Sequence, residues 1–225
     1  MKKRLFIMLM TVAMVATLTA CGKEEAEATE PVQETAKAET EEVTKEEPKQ
    51  ESESAALLTG TQKIQIDIKD YGTIIVSLDA DSAPITVTNF MSLVDDGFYD
   101  GLTFHRIIEG FMMQGGDPTG TGMGGSDNMI KGEFAANGVA NPIQHKRGTI
   151  SMARSMDPNS ASSQFFICHE DCPSLDGQYA AFGQVESGIE VVDEICKNTP
   201  VVDGNGTVEA KNQPVIERII NITDK

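Results

Sequence analysis

The most informative part of the sequence reads Phe104-His105-Arg106-Ile107-Ile108-Glu109-Gly110-Phe111-Met112-Met113-Gln114-Gly115-Gly116-Asp117. Two short apolar segments lie on either side of Glu109-Gly110, and a glycine pair follows the second of them. Short apolar segments that alternate with glycine-rich turns continue from here to Phe182, a pattern typical of β-strands joined by turns. We therefore expect the centre of the chain to consist of short strands.

A hairpin, two helices and a final strand are predicted around this centre. Apolar residues alternate with polar ones within residues 64–78 on both sides of a turn signal, which predicts an antiparallel hairpin. A helix is predicted over Ile85–Val94, because a capping candidate at residues 81–83 and an early proline precede apolar residues at helical spacing. The same signals predict a second helix over Ile189–Lys197 and a last strand over Val215–Ile222. Many short strands with two helices indicate a closed or nearly closed β structure that the helices cover.

Two further stretches complete the pattern. One reads Ile150-Ser151-Met152-Ala153-Arg154 and is followed ten residues later by Gln164-Phe165-Phe166-Ile167, and the other reads Leu175-Asp176-Gly177 and leads to Phe182-Gly183. Together with residues 104–117 they closely resemble the cyclophilin family of peptidyl-prolyl cis–trans isomerases, and the resemblance extends over residues 62–222. It implies a mainly β domain over residues 58–225, a closed eight-stranded antiparallel barrel capped by two α-helices. It also implies prolyl isomerisation without a cofactor.

The resemblance assigns roles to individual residues. It implies that Arg106 is catalytic and donates a hydrogen bond to the prolyl nitrogen, with Phe111 and Gln114 as the other members of the catalytic group. It further implies a substrate-binding set that comprises Met112, Ala153, Arg154, Gln164, Phe166, Leu175 and Tyr179. Within these sets, four residues match the pocket for the proline ring: Phe111, Met112, Phe166 and Leu175. Ala153 and Arg154 match a segment whose backbone pairs with an extended peptide.

Among the departures from the family pattern, which include Arg154 in place of a common asparagine and a segment at Ser155–Ser163 that is one residue longer, two concern the proline pocket. Ser174 stands where the best-known members carry a tryptophan that helps to bind the inhibitor cyclosporin, and this chain has no Trp. Tyr179 replaces a frequent histidine but keeps a ring with a polar tip. These departures motivate an alternative function, a membrane-tethered module or holdase that binds proline-containing peptides with little isomerase activity. Intact Arg106, Phe111 and Gln114 favour the enzyme.

The first residues indicate export. A cationic start at residues 1–4 precedes an apolar run of 14 residues over Leu5–Leu18, which is too short to span a bilayer comfortably and is typical of a signal peptide. The run ends in Leu18-Thr19-Ala20-Cys21, which resembles the bacterial lipobox. We therefore expect a signal peptide over residues 1–20 and lipidation of Cys21. The alternative is an ordinary cleaved signal that happens to end at a cysteine.

A tether is predicted between this anchor and the domain. Residues 21–57 are rich in Glu, Ala, Thr and Lys and contain no aromatic residue, a composition that favours disorder. The expected protein is a monomer that a lipid holds outside the cytoplasmic membrane of a bacterium. Its expected partners are proline-containing segments of exported or unfolded proteins.

Charge and metal-ligand spacing exclude other classes of function. The formal net charge is −17, with 18 basic against 35 acidic residues, which argues against binding to nucleic acid. No metal site is expected, because the three histidines, His105, His145 and His169, share no metal-ligand spacing. His105 is predicted to be a satisfied core residue.

The cysteines that remain after Cys21 are odd in number and predict no disulfide framework. They are Cys168, Cys172 and Cys196, of which one pair remains able to form a disulfide in an oxidising compartment. Cys168 lies in an apolar run, so a buried inert thiol is the expectation.

Overall fold

The computed structural model of the protein describes residues 56–223, which form eight β-strands and two α-helices. The strands are β1 (Thr61–Ile68), β2 (Gly72–Asp79), β3 (Thr103–Ile108), β4 (Met112–Asp117), β5 (Thr149–Met152), β6 (Phe165–Cys168), β7 (Ala181–Ser187) and β8 (Ile216–Asn221), and the helices are α1 (Pro84–Asp95) and α2 (Ile189–Asn198). The predicted hairpin, helices and last strand are confirmed, and both helices and the last strand lie within one residue of their predicted bounds.

The predicted signal peptide, the lipidation site Cys21 and nearly all of the tether lie outside the described residues. Within residues 56–223, no helix is both long enough and apolar enough to cross a membrane.

All eight strands belong to one antiparallel sheet, in the order β3-β4-β6-β5-β7-β2-β1-β8. The sheet curls round an apolar core, but no ladder joins its edge strands β3 and β8 within residues 56–223; Thr103 of β3 forms only an isolated bridge with Val215, the residue before β8. The expectation of a closed barrel was therefore wrong, and the sheet is an open half-barrel.

An irregular segment occupies the place where the barrel would close. The N–H of Ile107 donates to the Gly206 carbonyl at 2.8 Å, and the N–H of Phe104 donates to the Pro214 carbonyl at 3.0 Å. β8 begins only after Pro214, which has no N–H to offer to a ladder, and β8 pairs with β1 on its other side. Because a loop covers the outer edge of β3, that edge is satisfied without closure.

Helix α1 has a cap that the sequence pattern did not identify. The residue before the helix is Ala83, and no side chain from residues 81–83 caps the helix. Instead, the Glu133 carboxylate accepts hydrogen bonds from the N–H groups of Ile85 at 3.0 Å and Thr86 at 2.8 Å. A carboxylate is favourable at a helix N-terminus because it satisfies unpaired N–H groups and faces the positive end of the helix dipole. The predicted cap was therefore wrong, since the capping group comes from a distant loop.

The interior of the half-barrel is built around aromatic rings. Phe165 packs edge-on against Phe90 and Tyr99, with ring centroids 5.5 and 5.6 Å apart, and Phe182 packs against Phe90 at 5.1 Å. The one polar atom among these rings, the Tyr99 hydroxyl, donates to the Ser163 carbonyl at 3.0 Å. Phe165 is fully buried in this core, which confirms its predicted place.

Candidate active site

A cavity of about 290 Å³ lies on the outer face of β3, β4, β5 and β6. Its lining contains nine of the ten residues that the sequence assigns to catalysis or peptide binding, namely Arg106, Phe111, Met112, Gln114, Ala153, Arg154, Phe166, Leu175 and Tyr179. The tenth, Gln164, lines an adjoining cavity of about 340 Å³. Ser174 is exposed and lines neither cavity.

Strand register explains why distant residues meet here. Arg106 on β3 lies opposite Gln114 on β4, Gln114 lies opposite Phe166 on β6, and Phe166 lies opposite Ser151 on β5. Residues directly opposite each other in an antiparallel pair project to the same face of the sheet. These four side chains therefore form one row across four neighbouring strands, and three of them, Arg106, Gln114 and Phe166, line the cavity.

Two of the three guanidinium nitrogens of Arg106 are held by the protein. Nε donates to the Asn205 carbonyl at 2.8 Å, while Nη1 donates to Gln114 Oε1 at 3.2 Å and lies 3.8 Å from the sulfur of Met112. Nη2 has no hydrogen-bond partner within residues 56–223. Burial lowers the pKa of Arg106 from its ordinary value, but a guanidinium stays charged in proteins. Arg106 therefore offers a fixed cation with one uncommitted nitrogen.

A chain of amides extends from Arg106 towards a glycine-rich loop. Gln114 Nε2 donates to Gln164 Oε1 at 2.9 Å, and Gln164 Nε2 donates to the carbonyls of Gly122 at 3.1 Å and Gly124 at 2.7 Å. Because each amide has one donor group and one acceptor, this order sets which way both glutamines face. Gln114 therefore presents its oxygen to Arg106.

The same loop is anchored by Asp117 at the end of β4. Its carboxylate accepts hydrogen bonds from the N–H groups of Thr119, Thr121 and Gly122. Burial alone would raise the pKa of Asp117, but hydrogen bonds from backbone N–H groups, including those of Thr119 and Gly124, lower it to about 2. The carboxylate is therefore ionised at any physiological pH and holds the loop that supports Gln164.

The far side of the cavity is apolar. Met112, Phe166, Cys168 and Cys172 form a buried cluster of their own, separate from the main core. Partly buried side chains pack against the cluster, and they include Phe111, Ala153, Leu175 and Tyr179. The cavity thus has a charged donor on one side and an apolar pocket on the other.

Residues 63–223 match the family described as cyclophilin type peptidyl-prolyl cis-trans isomerase/CLD. The chain is a cyclophilin-type peptidyl-prolyl isomerase. It is 48% identical over 126 residues to a peptidyl-prolyl cis-trans isomerase of Helicobacter pylori, which is 55% of this chain and 74% of the relative. It is 47% identical over 123 residues to peptidyl-prolyl cis-trans isomerase B of Bacillus subtilis, which is 55% of this chain and 82% of the relative.

Solved structures agree with this cyclophilin over the described domain. A cyclophilin-type isomerase of Cryptosporidium parvum is 31% identical, with a TM-score of 0.65, over 74% of this chain and all (100%) of that chain. The crystal structure of that protein in the presence of the dipeptide Ala-Pro is 32% identical with a TM-score of 0.64, over 72% of this chain and 100% of that chain.

In this cyclophilin a polar network supports Phe166 from behind. His145 Nδ1 lies 3.0 Å from Asp176 Oδ1, and His145 Nε2 lies 3.0 Å from the hydroxyl of Ser151. The imidazole stacks on the ring of Phe166 with centroids 6.0 Å apart and planes 15° apart. Although serine, histidine and aspartate in this order resemble a hydrolase triad, Ser151 is fully buried, so no substrate reaches it. The network positions Phe166.

Sequence reasoning missed this network. From the sequence, His145 is assessed only as a metal ligand, and the resemblance gives no role to Asp176 or Ser151. No local signal joins them, because 31 residues separate His145 from Asp176. Burial lowers the pKa of His145, with Asp176 opposing the effect.

The side chain of Arg154 makes contacts beyond the backbone role that the resemblance implies. Its guanidinium carbon lies 4.6 Å from the ring centre of Tyr179 and 5.1 Å from that of Phe134. Nε and Nη2 donate to the Gln178 carbonyl at 3.2 and 2.9 Å, and Nη1 donates to the Ser155 carbonyl at 2.9 Å. The side chain of Arg154 therefore connects its own segment to Phe134 and to the segment that carries Gln178 and Tyr179.

The remaining cysteines and His105 lie inside the protein. All three cysteines are free, and burial raises the pKa of Cys168 and raises that of Cys196 to about 12, as expected of inert thiols. His105 is buried, and burial lowers its pKa. Its two ring nitrogens have no hydrogen-bond partner within the described range, so the expectation of a satisfied core histidine was wrong in that respect.

Proposed function

We propose that this cyclophilin isomerises prolyl bonds in exported proteins at the outside of a bacterial membrane, where a lipid on Cys21 anchors it, and that Arg106 donates to the prolyl nitrogen in the transition state. The enzyme class is that of its family. The catalytic role of Arg106, the substrates and the location are the proposal.

The chemistry requires a donor that acts only on the twisted bond. Rotation about a prolyl peptide bond breaks amide resonance against a barrier of about 18–20 kcal/mol and takes tens to hundreds of seconds unaided. In the planar amide the nitrogen lone pair is delocalised, whereas in the twisted state it accepts a hydrogen bond. A donor aimed at that nitrogen stabilises the transition state over the ground state, which is the condition for catalysis.

The observation that carries the proposal is the uncommitted Nη2 of Arg106 beside an apolar pocket. Nε and Nη1 are held by Asn205 and Gln114, so the guanidinium is oriented before substrate binds. A charge-assisted hydrogen bond contributes about 1.5–3 kcal/mol, or roughly ten- to 150-fold in rate. The apolar pocket would hold the proline ring and remove water from the amide, which favours the less polar twisted state.

The location rests on the sequence. The short apolar run and Cys21 support a lipid anchor rather than a spanning helix. If the segment between Cys21 and the domain is a disordered tether, as its composition predicts, about 35 residues would span about 30–35 Å r.m.s. and hold the domain clear of the membrane surface. A protein held there meets newly exported chains before they have folded.

The mechanism is tested with the full-length chain purified in detergent and a short peptide that contains one X-Pro bond. We expect the wild type to accelerate isomerisation and Arg106→Ala to lower kcat/KM by about ten- to 150-fold. Arg106→Lys keeps the charge but loses the planar fork, so it should also lose most of the activity. Equal activity in wild type and Arg106→Ala would reject the mechanism.

The same experiment separates the enzyme from a binding module. A wild type that binds the peptide without accelerating isomerisation would favour the tethered peptide-binding module or holdase. The anchor is tested separately, since Cys21→Ala should move the protein from the membrane fraction to the soluble fraction. Unchanged membrane fractionation of that variant would contradict the lipid anchor.

A further inference from the structure

We propose that this cyclophilin selects proline-containing segments that carry an acidic side chain two residues from the proline, and that the guanidinium of Arg154 recognises this side chain. The inference rests on the proposed function and names the substrate class of the same groove. Three features of the described residues support it. They are the absence of an acidic partner for the groove arginines, the position of Arg154 between two cavities, and the lack of acidic residues in the lining of both cavities.

The four arginines of residues 56–223 fall into two kinds. Arg147 and Arg218 lie outside the groove, and each forms a salt bridge at 2.7 Å, with Asp193 and Asp67 respectively. Arg106 and Arg154 line the groove, and neither forms a salt bridge within the described residues. In a chain with about twice as many acidic as basic residues, 35 against 18, a carboxylate partner is readily available elsewhere. Among the four arginines, the two in the groove are therefore those whose charge is left without an acidic partner.

Arg154 stands on the boundary between the two cavities and lines both of them. An arginine has five N–H groups, and the three hydrogen bonds to Gln178 and Ser155 leave two of them uncommitted within residues 56–223. Stacking between Phe134 and Tyr179 holds the plane of the guanidinium. A fixed guanidinium with free N–H groups is suited to bind a carboxylate, because little side-chain entropy remains to be lost.

The lining around Arg154 contains no competing acid. Within the described part of the chain, neither cavity is lined by an aspartate or a glutamate, although the net charge of the whole chain is −17. The Debye length is about 8 Å at physiological ionic strength, so exposed acidic groups farther away are largely screened from the groove. The buried carboxylate of Asp117 lies behind this lining, where it accepts hydrogen bonds from the N–H groups of Thr121 and Gly122. A ligand carboxylate at the open side of the second cavity meets the charge of Arg154 and, beyond it, that of Arg106.

The spacing of two residues follows from the geometry of an extended peptide. The two cavities share Gln114, Ala153 and Arg154, so they are continuous along the groove. In an extended chain, side chains at positions i and i+2 project to the same side. With the proline ring in the first cavity, the side chain two residues away enters the second.

A different occupant of the second cavity is the alternative to be tested. Met123 and Met129 lie on its rim and are 90% and 71% exposed. Methionine adapts to varied apolar groups, so the rim by itself would suit a large apolar side chain. The charge on Arg154 favours the acidic side chain, and the experiment compares the two directly.

The test uses the full-length protein in a neutral detergent with blocked peptides that differ at one position. Glu, Gln, Leu or Lys is placed two residues before the proline, and a second series places the same residues two after it. The rate constant kcat/KM is measured by NMR exchange, and Kd by titration calorimetry. We expect Glu to exceed Gln in kcat/KM by about three- to tenfold in one series, and the ratio to fall as salt is raised.

Variants assign the preference to Arg154. Arg154→Gln should bring the Glu-to-Gln ratio to about one, and Arg154→Lys should keep part of it, since lysine retains the charge without the planar fork. Lys63→Gln is the matched control: it removes the same unit charge from β1, away from the groove, and should leave the ratio unchanged. Ratios within each variant remain interpretable even where Arg154→Gln alters the groove walls.

Several results would overturn the inference. These are equal values for Glu and Gln in the wild type, a preference that survives Arg154→Gln, or a preference for Leu over Glu. Failure of the proposed function looks different, because then no peptide of either series is isomerised. In that case the Kd values still report whether Glu is preferred over Gln.

Discussion

Phe165 and Phe166 are neighbours on β6 and are buried to almost the same degree, with 0% and 4% of their surfaces exposed. Phe165 projects into the half-barrel and meets only other side chains of the core. Phe166 projects to the opposite face, where it lines an open cavity and rests on the His145 imidazole. Burial therefore does not distinguish core from site here. The face of the strand does, because the outer face combines apolar packing with a polar network and space for a ligand.

The largest expected effect is a difference in stability and activity between alanine variants of these two phenylalanines. Phe165→Ala leaves a void that surrounding side chains fill only in part, and we expect it to lower the free energy of unfolding by about 3–5 kcal/mol. Phe166→Ala should cost less stability, because its void opens to the groove and admits water. It should nevertheless lower kcat/KM strongly, since it removes a wall of the predicted proline pocket. Urea unfolding and the isomerase assay measure both quantities on each variant.

The comparison fails if both variants lose stability equally and keep equal activity per folded molecule. Phe165→Leu is a milder variant on the core side. It keeps an apolar side chain and remains testable if Phe165→Ala does not fold. It should again lower stability more than kcat/KM.

A smaller loss of stability is expected when the buried cap of α1 is altered. Glu133 is 2% exposed, and its carboxylate accepts from two N–H groups of the helix. In Glu133→Gln the amide nitrogen cannot accept, so one helix N–H is left unsatisfied at a cost of about 1–3 kcal/mol. The isomerase activity of the folded protein should stay close to that of the wild type, because Glu133 lines neither cavity.

Glu217→Gln provides the matched control for that substitution. Glu217 is an exposed residue on β8, and its replacement should change the free energy of unfolding by no more than about 0.5 kcal/mol. If urea unfolding shows the same loss of unfolding free energy in Glu133→Gln and Glu217→Gln, Glu133 does not act as a cap.

The smallest expected effect is a dependence of stability on pH. Burial lowers the pKa of His105, which lies beside Gly122 of the glycine-rich loop, and of His145, which stacks on Phe166, below the ordinary value of 6.5. Below about pH 6.5 the unfolded chain therefore binds protons that the folded protein does not, so stability falls as the pH is lowered. The aspartates with lowered pKa values release their protons well below this range and contribute no slope here.

Urea unfolding at pH 7.5 and 5.5 measures this slope. In His105→Leu the contribution of this histidine is absent, so the difference in stability between the two pH values should be smaller than in the wild type. An unchanged difference would mean that His105 does not contribute to the slope.

The local pattern of the sequence was sufficient for the first hairpin, both helices and the last strand, and the family resemblance indicated residues that line the two cavities. Period-two alternation predicted β1 and β2, helical spacing predicted α1 and α2, and the stretch at residues 104–117 carried the family resemblance. Such signals are short-range, since each depends on side chains that alternate or repeat within one element. The sequence also placed Phe165 in the core.

Tertiary structure decided the features that depend on pairing between distant residues. Whether β3 and β8 join depends on the loop before Pro214, and the cap of α1 comes from Glu133, 48 residues beyond Ile85. The network behind Phe166 and the position of Arg154 between two rings likewise join separate segments. A local pattern records which way a side chain faces within its own element. It does not record which partner the folded chain brings to it, and that partner determines whether a charge is paired or left available to a substrate.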